Sequence, residues 1–255
     1  MKGINRNRTN FVSARFTGVH TAVRVTTFAM GASWALQTPV YAGAKDDPLI
    51  GMIKVDQFEV RAEEGDDPLV MDAQAWIGHD LHKIWLKSEV EHVGSEVEEA
   101  EFQALYSRAI APFWDVQFGL RHDVDPNPSR NWAVVGFQGL SPYFFEIDAA
   151  LFIGGSGRTA FRLEAEYEFM ITQKWVLSPE LEMNLYGKDD AELAIGSGLS
   201  DIEIGLRLRY EIIREFAPYI GINVTRKLGS TADIAQKAGE DKEQLQWVLG
   251  VRTWY

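Results

Sequence analysis

Apolar and polar residues alternate with a period of two along most of this chain, in segments of strand length. The last segment, Gln246–Tyr255, puts Trp247, Leu249, Val251, Thr253 and Tyr255 on one face and Gln246, Gly250 and Arg252 on the other. In 159–171, Phe161, Leu163, Ala165, Tyr167, Phe169 and Ile171 form an apolar face, opposed by Arg162, Glu164, Glu166 and Glu168. Twelve segments read this way: 51–62, 70–78, 83–92, 99–107, 114–123, 131–140, 144–153, 159–171, 175–186, 199–210, 218–226 and 244–254. Most have about the 9–11 residues with which a tilted strand crosses a hydrocarbon layer.

The connections alternate as well. Odd ones are polar loops (63–68, 93–98, 124–130, 154–158, 187–198 and 228–243), and even ones are mostly tight (141–143, 172–174 and 211–216). A short helical turn is predicted at 232–237 in the longest loop. An even strand count with short turns at one end and loops at the other is the organisation of bacterial outer-membrane barrels. The predicted fold class is therefore all-β, an antiparallel up-and-down transmembrane β-barrel of about 12 strands. Phe113, Trp114, Tyr143, Phe144, Trp175, Tyr210, Phe216, Tyr219, Trp254 and Tyr255 gather near the turn ends, where amphipathic rings form a girdle at a membrane interface. The same rings would also serve as the core of a soluble sandwich, but apolar faces set all round against charged ones favour lipid outside and water inside.

Composition sharpens this picture. Asp and Glu are absent from residues 1–44, which carry Lys2, Arg6, Arg8, Arg15 and Arg24, a mildly apolar run at 25–36, and small-residue endings at 40–42 and 42–44. That is the pattern of a signal peptide, so the predicted division is signal peptide 1–44 and barrel 45–255. Beyond Ala44 there are 20 basic against 37 acidic residues, a formal charge of −17, which disfavours nucleic-acid binding and favours cations. With no Cys, disulfides and thiolate metal sites are excluded. No stretch after residue 44 approaches the roughly 20 apolar residues of a membrane helix.

The candidate chemistry lies on the polar faces. Glu164, Glu166, Glu168, Asp201 and Glu203 offer hard oxygen ligands along a lumen, and Arg121, Arg162, Arg207 and Arg209 set its field and width. These groups either attract a cation or pair with one another and glue the lumen shut. Met170 offers a thioether, His79 and His82 flank a turn at a spacing able to chelate a transition metal, and His122 sits at a strand end. No Ser lies in a nucleophile elbow, His122 and Asp123 point to opposite faces, and the glycines at 154–157 and 196–198 precede no helix with a Lys. No catalytic residue is assigned and no enzymatic activity is expected, a rim hydrolase being the enzymatic alternative.

Beyond pattern, the wording of several blocks resembles the outer-membrane copper resistance protein B family. The blocks are Asp72–Gly78, Lys83–Lys87, Arg121–Asp123, Gln138–Tyr143, Arg162–Tyr167, Gly196–Tyr210, Glu215–Tyr219 and Ala238–Asp241, within 49–255. The resemblance implies location in the outer membrane in contact with lipid, copper as the ion handled, and a periplasmic multicopper oxidase as partner. It specifies no ligand set. Many members place a Met- and His-rich segment between signal and barrel, whereas here the barrel begins about six residues after Lys45. Lumenal passage or partner docking thus stands ahead of sequestration. The reading is a monomeric copper resistance protein that binds or conducts copper ions through an acidic, Arg-laced lumen, the alternative being a structural barrel that docks the oxidase.

Overall fold

A computed structural model describes residues 47–63, 67–94 and 96–255; the predicted signal peptide lies outside them. The strands are β1 (Ile50–Ala62), β2 (Leu69–Gly78), β3 (His82–Val93), β4 (Glu96–Ala111), β5 (Trp114–Asp125), β6 (Arg130–Leu140), β7 (Glu146–Gly154), β8 (Thr159–Glu166), β9 (Phe169–Met170), β10 (Trp175–Tyr186), β11 (Gly198–Tyr210), β12 (Phe216–Lys227) and β13 (Glu243–Trp254). Successive strands pair antiparallel, except that β8 and β9 both pair with β10, and β1 pairs with β13 to close the sheet. Main-chain bonds between Ile53 and Tyr255, 2.9 and 2.8 Å, seal the end of that seam.

Both β8 and the two-residue β9 pair with β10 in one continuous register, so they form a single stave and the barrel has twelve. The predicted strand 159–171 is thus interrupted at Tyr167 and Glu168. The cause lies on the neighbouring strand: Tyr167 N donates to the Pro179 carbonyl at 3.1 Å, and Pro179 has no N–H to return.

Side-chain direction follows the predicted parity. Leu120 and Leu249 are 67% and 65% exposed on the outer face, while Glu59 and Gln117 are each 1% exposed on the inner. Two departures matter. Tyr219, predicted in the girdle, is buried inside the barrel, its hydroxyl donating to Glu59 Oε2 at 2.8 Å. The predicted loop 93–98 contracts to a two-residue connection, 94–95, because β3 and β4 keep pairing through Glu91↔Glu99 and His92↔Val97. Gly94 turns the chain there with φ 58°, a value glycine adopts without steric cost. The longest loop holds α1 (Gly229–Ala238), a fuller helix than the predicted turn.

The interior is not uniformly polar. Trp85, Leu105, Val134 and Phe152 pack together from β3, β4, β6 and β7, so the inner surface of these strands carries an apolar wall beside its charged residues.

Candidate functional site: the barrel lumen

Register places carboxylates directly opposite one another on adjacent strands. One row runs Asp72, Glu89, Glu101 and Asp123 across β2 to β5. A second runs Asp148, Glu164, Glu182 and Glu203 across β7, β8, β10 and β11, with Glu146, Glu166 and Glu180 beside it. Like charges opposed in this way destabilise a sheet unless counter-ions sit among them.

The counter-ions come from the inner face itself. Arg121 bonds Glu101 at 2.7 Å and Asp123 at 2.6 Å. Arg207 grips Glu59 with Nε and Nη2 at 2.9 and 2.8 Å and also pairs with Glu180. Arg61 joins Glu59 at 2.8 Å to Glu203 at 3.1 Å. Arg209 holds Glu166 and Glu168 at 3.3 and 2.5 Å, and Arg252 holds the same two at 3.0 and 3.2 Å. Lys87 pairs with Asp148 across the lumen. These groups surround a cavity of about 460 Å³ lined by eleven carboxylates and seven cationic side chains, an acidic excess of four. Such a cavity lowers the energy of a cation relative to an anion.

The sequence-predicted residues divide accordingly. Glu166 and Glu168 are neutralised by Arg209 and Arg252, whereas Glu164 stays half-exposed with Arg162 no nearer than 4.0 Å. Asp201 accepts from Asn184 Nδ2 at 2.9 Å, and Glu203 pairs with Arg61. Arg121, Arg162, Arg207 and Arg209 are all buried. Met170 is 76% exposed beyond the strand break and joins none of these groups. His79 Nδ1 lies 2.9 Å from the Asp47 carbonyl oxygen, whereas His82 Nδ1 lies 2.5 Å from the Tyr106 hydroxyl, so the two rings turn to different partners. His122 is on the outer face, 2.8 Å from Asn131 Oδ1.

One cluster was missed by sequence reasoning. Carboxylate oxygens of Glu89, Glu99 and Glu101 lie within 4.8 Å of one another. The signal was present in Glu-x-Glu parity on both sides of 94–95, but it becomes visible only once that connection is drawn as a tight hairpin.

At the loop end, Asp190 is clamped by Arg158 Nε at 2.8 Å and Arg130 Nη2 at 3.1 Å, tying 187–197 to the rim. Burial alone would raise the Asp190 carboxyl, but the hydrogen bonds and charge of Arg130 outweigh it and hold it below its ordinary 3.8. A lowered native value stabilises the clamp above the unfolded value and loses that stabilisation as pH falls through the native one. The 187–197 segment is therefore expected to keep its amide protection above about pH 4 and to lose it progressively on acidification below that. Hydrogen exchange read at Lys188 and Glu192 checks this, and an acid-insensitive profile would contradict it.

A closed antiparallel barrel with an apolar exterior, aromatic rings at its turn end and a charged interior is a transmembrane barrel of the outer membrane. Within that class, residues 49–255 match the family of copper resistance protein B precursors, and the chain belongs to that family. Copper resistance protein B of Escherichia coli is 41% identical over 210 residues, 82% of this chain and 71% of that protein. A copper resistance protein B homolog of Pseudomonas syringae pv. tomato gives the same identity and coverage. Among solved structures, the NanC porin superimposes with a TM-score of 0.55 at 12% identity, covering 79% of this chain and 98% of that one, a likeness of fold.

Proposed function

We propose that this protein serves copper resistance at the outer membrane by admitting copper ions to its lumen, where the carboxylate rows bind them and pass them across. The observation that carries this reading is the registered pair of acidic rows, whose excess charge favours cations. Copper is the ion that the relatives' names supply. In this proposal residues 1–44 direct export, the barrel is monomeric, and no catalytic group takes part.

Glu164 is the informative position, because Glu166 and Glu168 already have guanidinium partners. Glu164→Gln in planar bilayers is expected to lower the cation-to-anion permeability ratio several-fold, and an unchanged ratio would remove that residue from the path. At the cellular level, deletion of the gene with no change in copper tolerance or copper content would count against the whole reading.

A second reading, docking of a periplasmic multicopper oxidase, is favoured by the turn tips. Phe113, Tyr143 and Phe144 are 75%, 82% and 73% exposed. Their φ values are 66°, 70° and 66°, a backbone region that costs a non-glycine residue about 1–2 kcal/mol. Retention of the oxidase by the immobilised barrel, lost in Phe113→Asp with Tyr143→Asp, would support it, whereas equal retention by both would exclude these tips.

A further inference from the structure

Arg162 leaves the wall on β8, and its guanidinium reaches Glu89 on β3 at 3.1 Å and Glu101 on β4 at 3.0 Å. Those strands lie five and four staves away in a ring of twelve, so the contact spans nearly a full diameter. On its own side the same group lies 3.4 Å from Glu182 and 4.0 Å from Glu164. Beneath it, the Phe152 ring is 5.9 Å away and also carries Arg121 at 4.7 Å, so the apolar wall supports the crossing. Among the described residues, Arg162 is the cationic side chain that ion-pairs with members of both carboxylate rows; Arg121 meets only the first, and Arg61 and Lys87 only the second.

We propose that Arg162 is a tethered counter-ion that closes the lumen and sets which cation passes. Its guanidinium takes the place between the two rows that a travelling cation would take, and passage requires that ion to replace it. A monovalent alkali ion binds carboxylates weakly and does not displace a guanidinium hydrogen-bonded to Glu89 and Glu101 with Glu182 beside it. A divalent transition-metal ion binds oxygen ligands more strongly and carries twice the charge. The selectivity of the barrel therefore comes from competition with an internal cation as well as from the field of the rows. This inference rests on the lumen being the copper path.

The experiment compares wild type, Arg162→Gln and Arg162→Lys, each reconstituted into planar bilayers for potassium current and into vesicles for Cu²⁺ entry. Potassium current is expected to rise about tenfold in Arg162→Gln, the equivalent of ~1.4 kcal/mol, and to stay near wild type in Arg162→Lys, which keeps the charge. Added Cu²⁺ is expected to suppress the new current and to raise the unfolding temperature of Arg162→Gln by more than that of wild type, because in the variant the metal fills the vacated position without competing with a guanidinium. Equal potassium currents in folded wild type and Arg162→Gln overturn the proposal. If Arg162→Gln does not insert, Glu89→Gln with Glu101→Gln removes the far-wall acceptors and must give the same gain; no gain there overturns it too. A potassium current that rises while Cu²⁺ enters through neither barrel upholds the closure and refutes the copper path. Cu²⁺ entry through both barrels with potassium current in neither upholds the copper path and refutes the closure.

Discussion

Glu59→Ala is expected to destabilise the barrel by about 3–5 kcal/mol, the range for breaking a buried ion pair by removing one partner. Glu59 is 1% exposed and accepts from Arg207 at 2.9 and 2.8 Å, Arg61 at 2.8 Å and Tyr219 at 2.8 Å. Without it, Arg207 retains Glu180 and Arg61 retains Glu203, but the two guanidinium groups and the phenol face one another around an empty position. The site has little room to rearrange, because the Tyr219 ring lies over Gly250, where an added Cβ would stand 2.6 Å from it. Urea unfolding of the purified barrel in lipid vesicles measures the loss. A change under about 1 kcal/mol would mean that the position is hydrated and behaves as an exposed pair.

The second large effect is on the opposite face. Leu249 lies near the middle of β13 with 65% of its surface exposed. If that surface meets lipid, Leu249→Arg is expected to cost about 2–4 kcal/mol, the range for a cation at the bilayer midplane of a barrel. Leu249→Ile should change little, because it alters neither polarity nor volume. The same unfolding measurement checks both, and an arginine tolerated as well as isoleucine would place the outer surface in water.

Much of the architecture was legible because lipid and water impose a strict period of two. Trp175–Tyr186 was read with the bounds the structure gives, and the other strands differ mainly at their ends. The errors arise where that constraint lapses. Residues 93–98 extend towards the aqueous loop end, where Glu96 and Glu98 need not avoid lipid, so a paired hairpin resembles a loop. The break after Glu166 is set by Pro179, a residue of the neighbouring strand, and no inspection of 159–171 alone reveals it. Tyr219 follows Pro218 at a strand start where the alternation has barely begun, so its inward direction was missed.

The candidate site was legible in composition but not in arrangement. Parity assigns Glu89, Glu101, Glu164 and Glu182 to the inside, yet it does not say which of them stand opposite one another. That depends on register, which is fixed by turn geometry and by the fit of all the strands together. Arg162 was identified as part of the lumen field; its reach from β8 to β3 depends on closure of the ring.

The β3–β4 hairpin has a two-residue connection that favours early formation, yet it juxtaposes Glu89 with Glu101 and Glu91 with Glu99. Arg121 on β5 relieves Glu101, but the arginine that relieves Glu89 belongs to a strand emerging 73 residues later. Half-built sheets therefore carry an electrostatic penalty that the completed cylinder removes, which couples biogenesis of the first hairpins to arrival of β8, past the middle of the barrel. Insertion should accordingly be all-or-none, and truncated chains ending before β8 should be handed to proteases in place of the membrane.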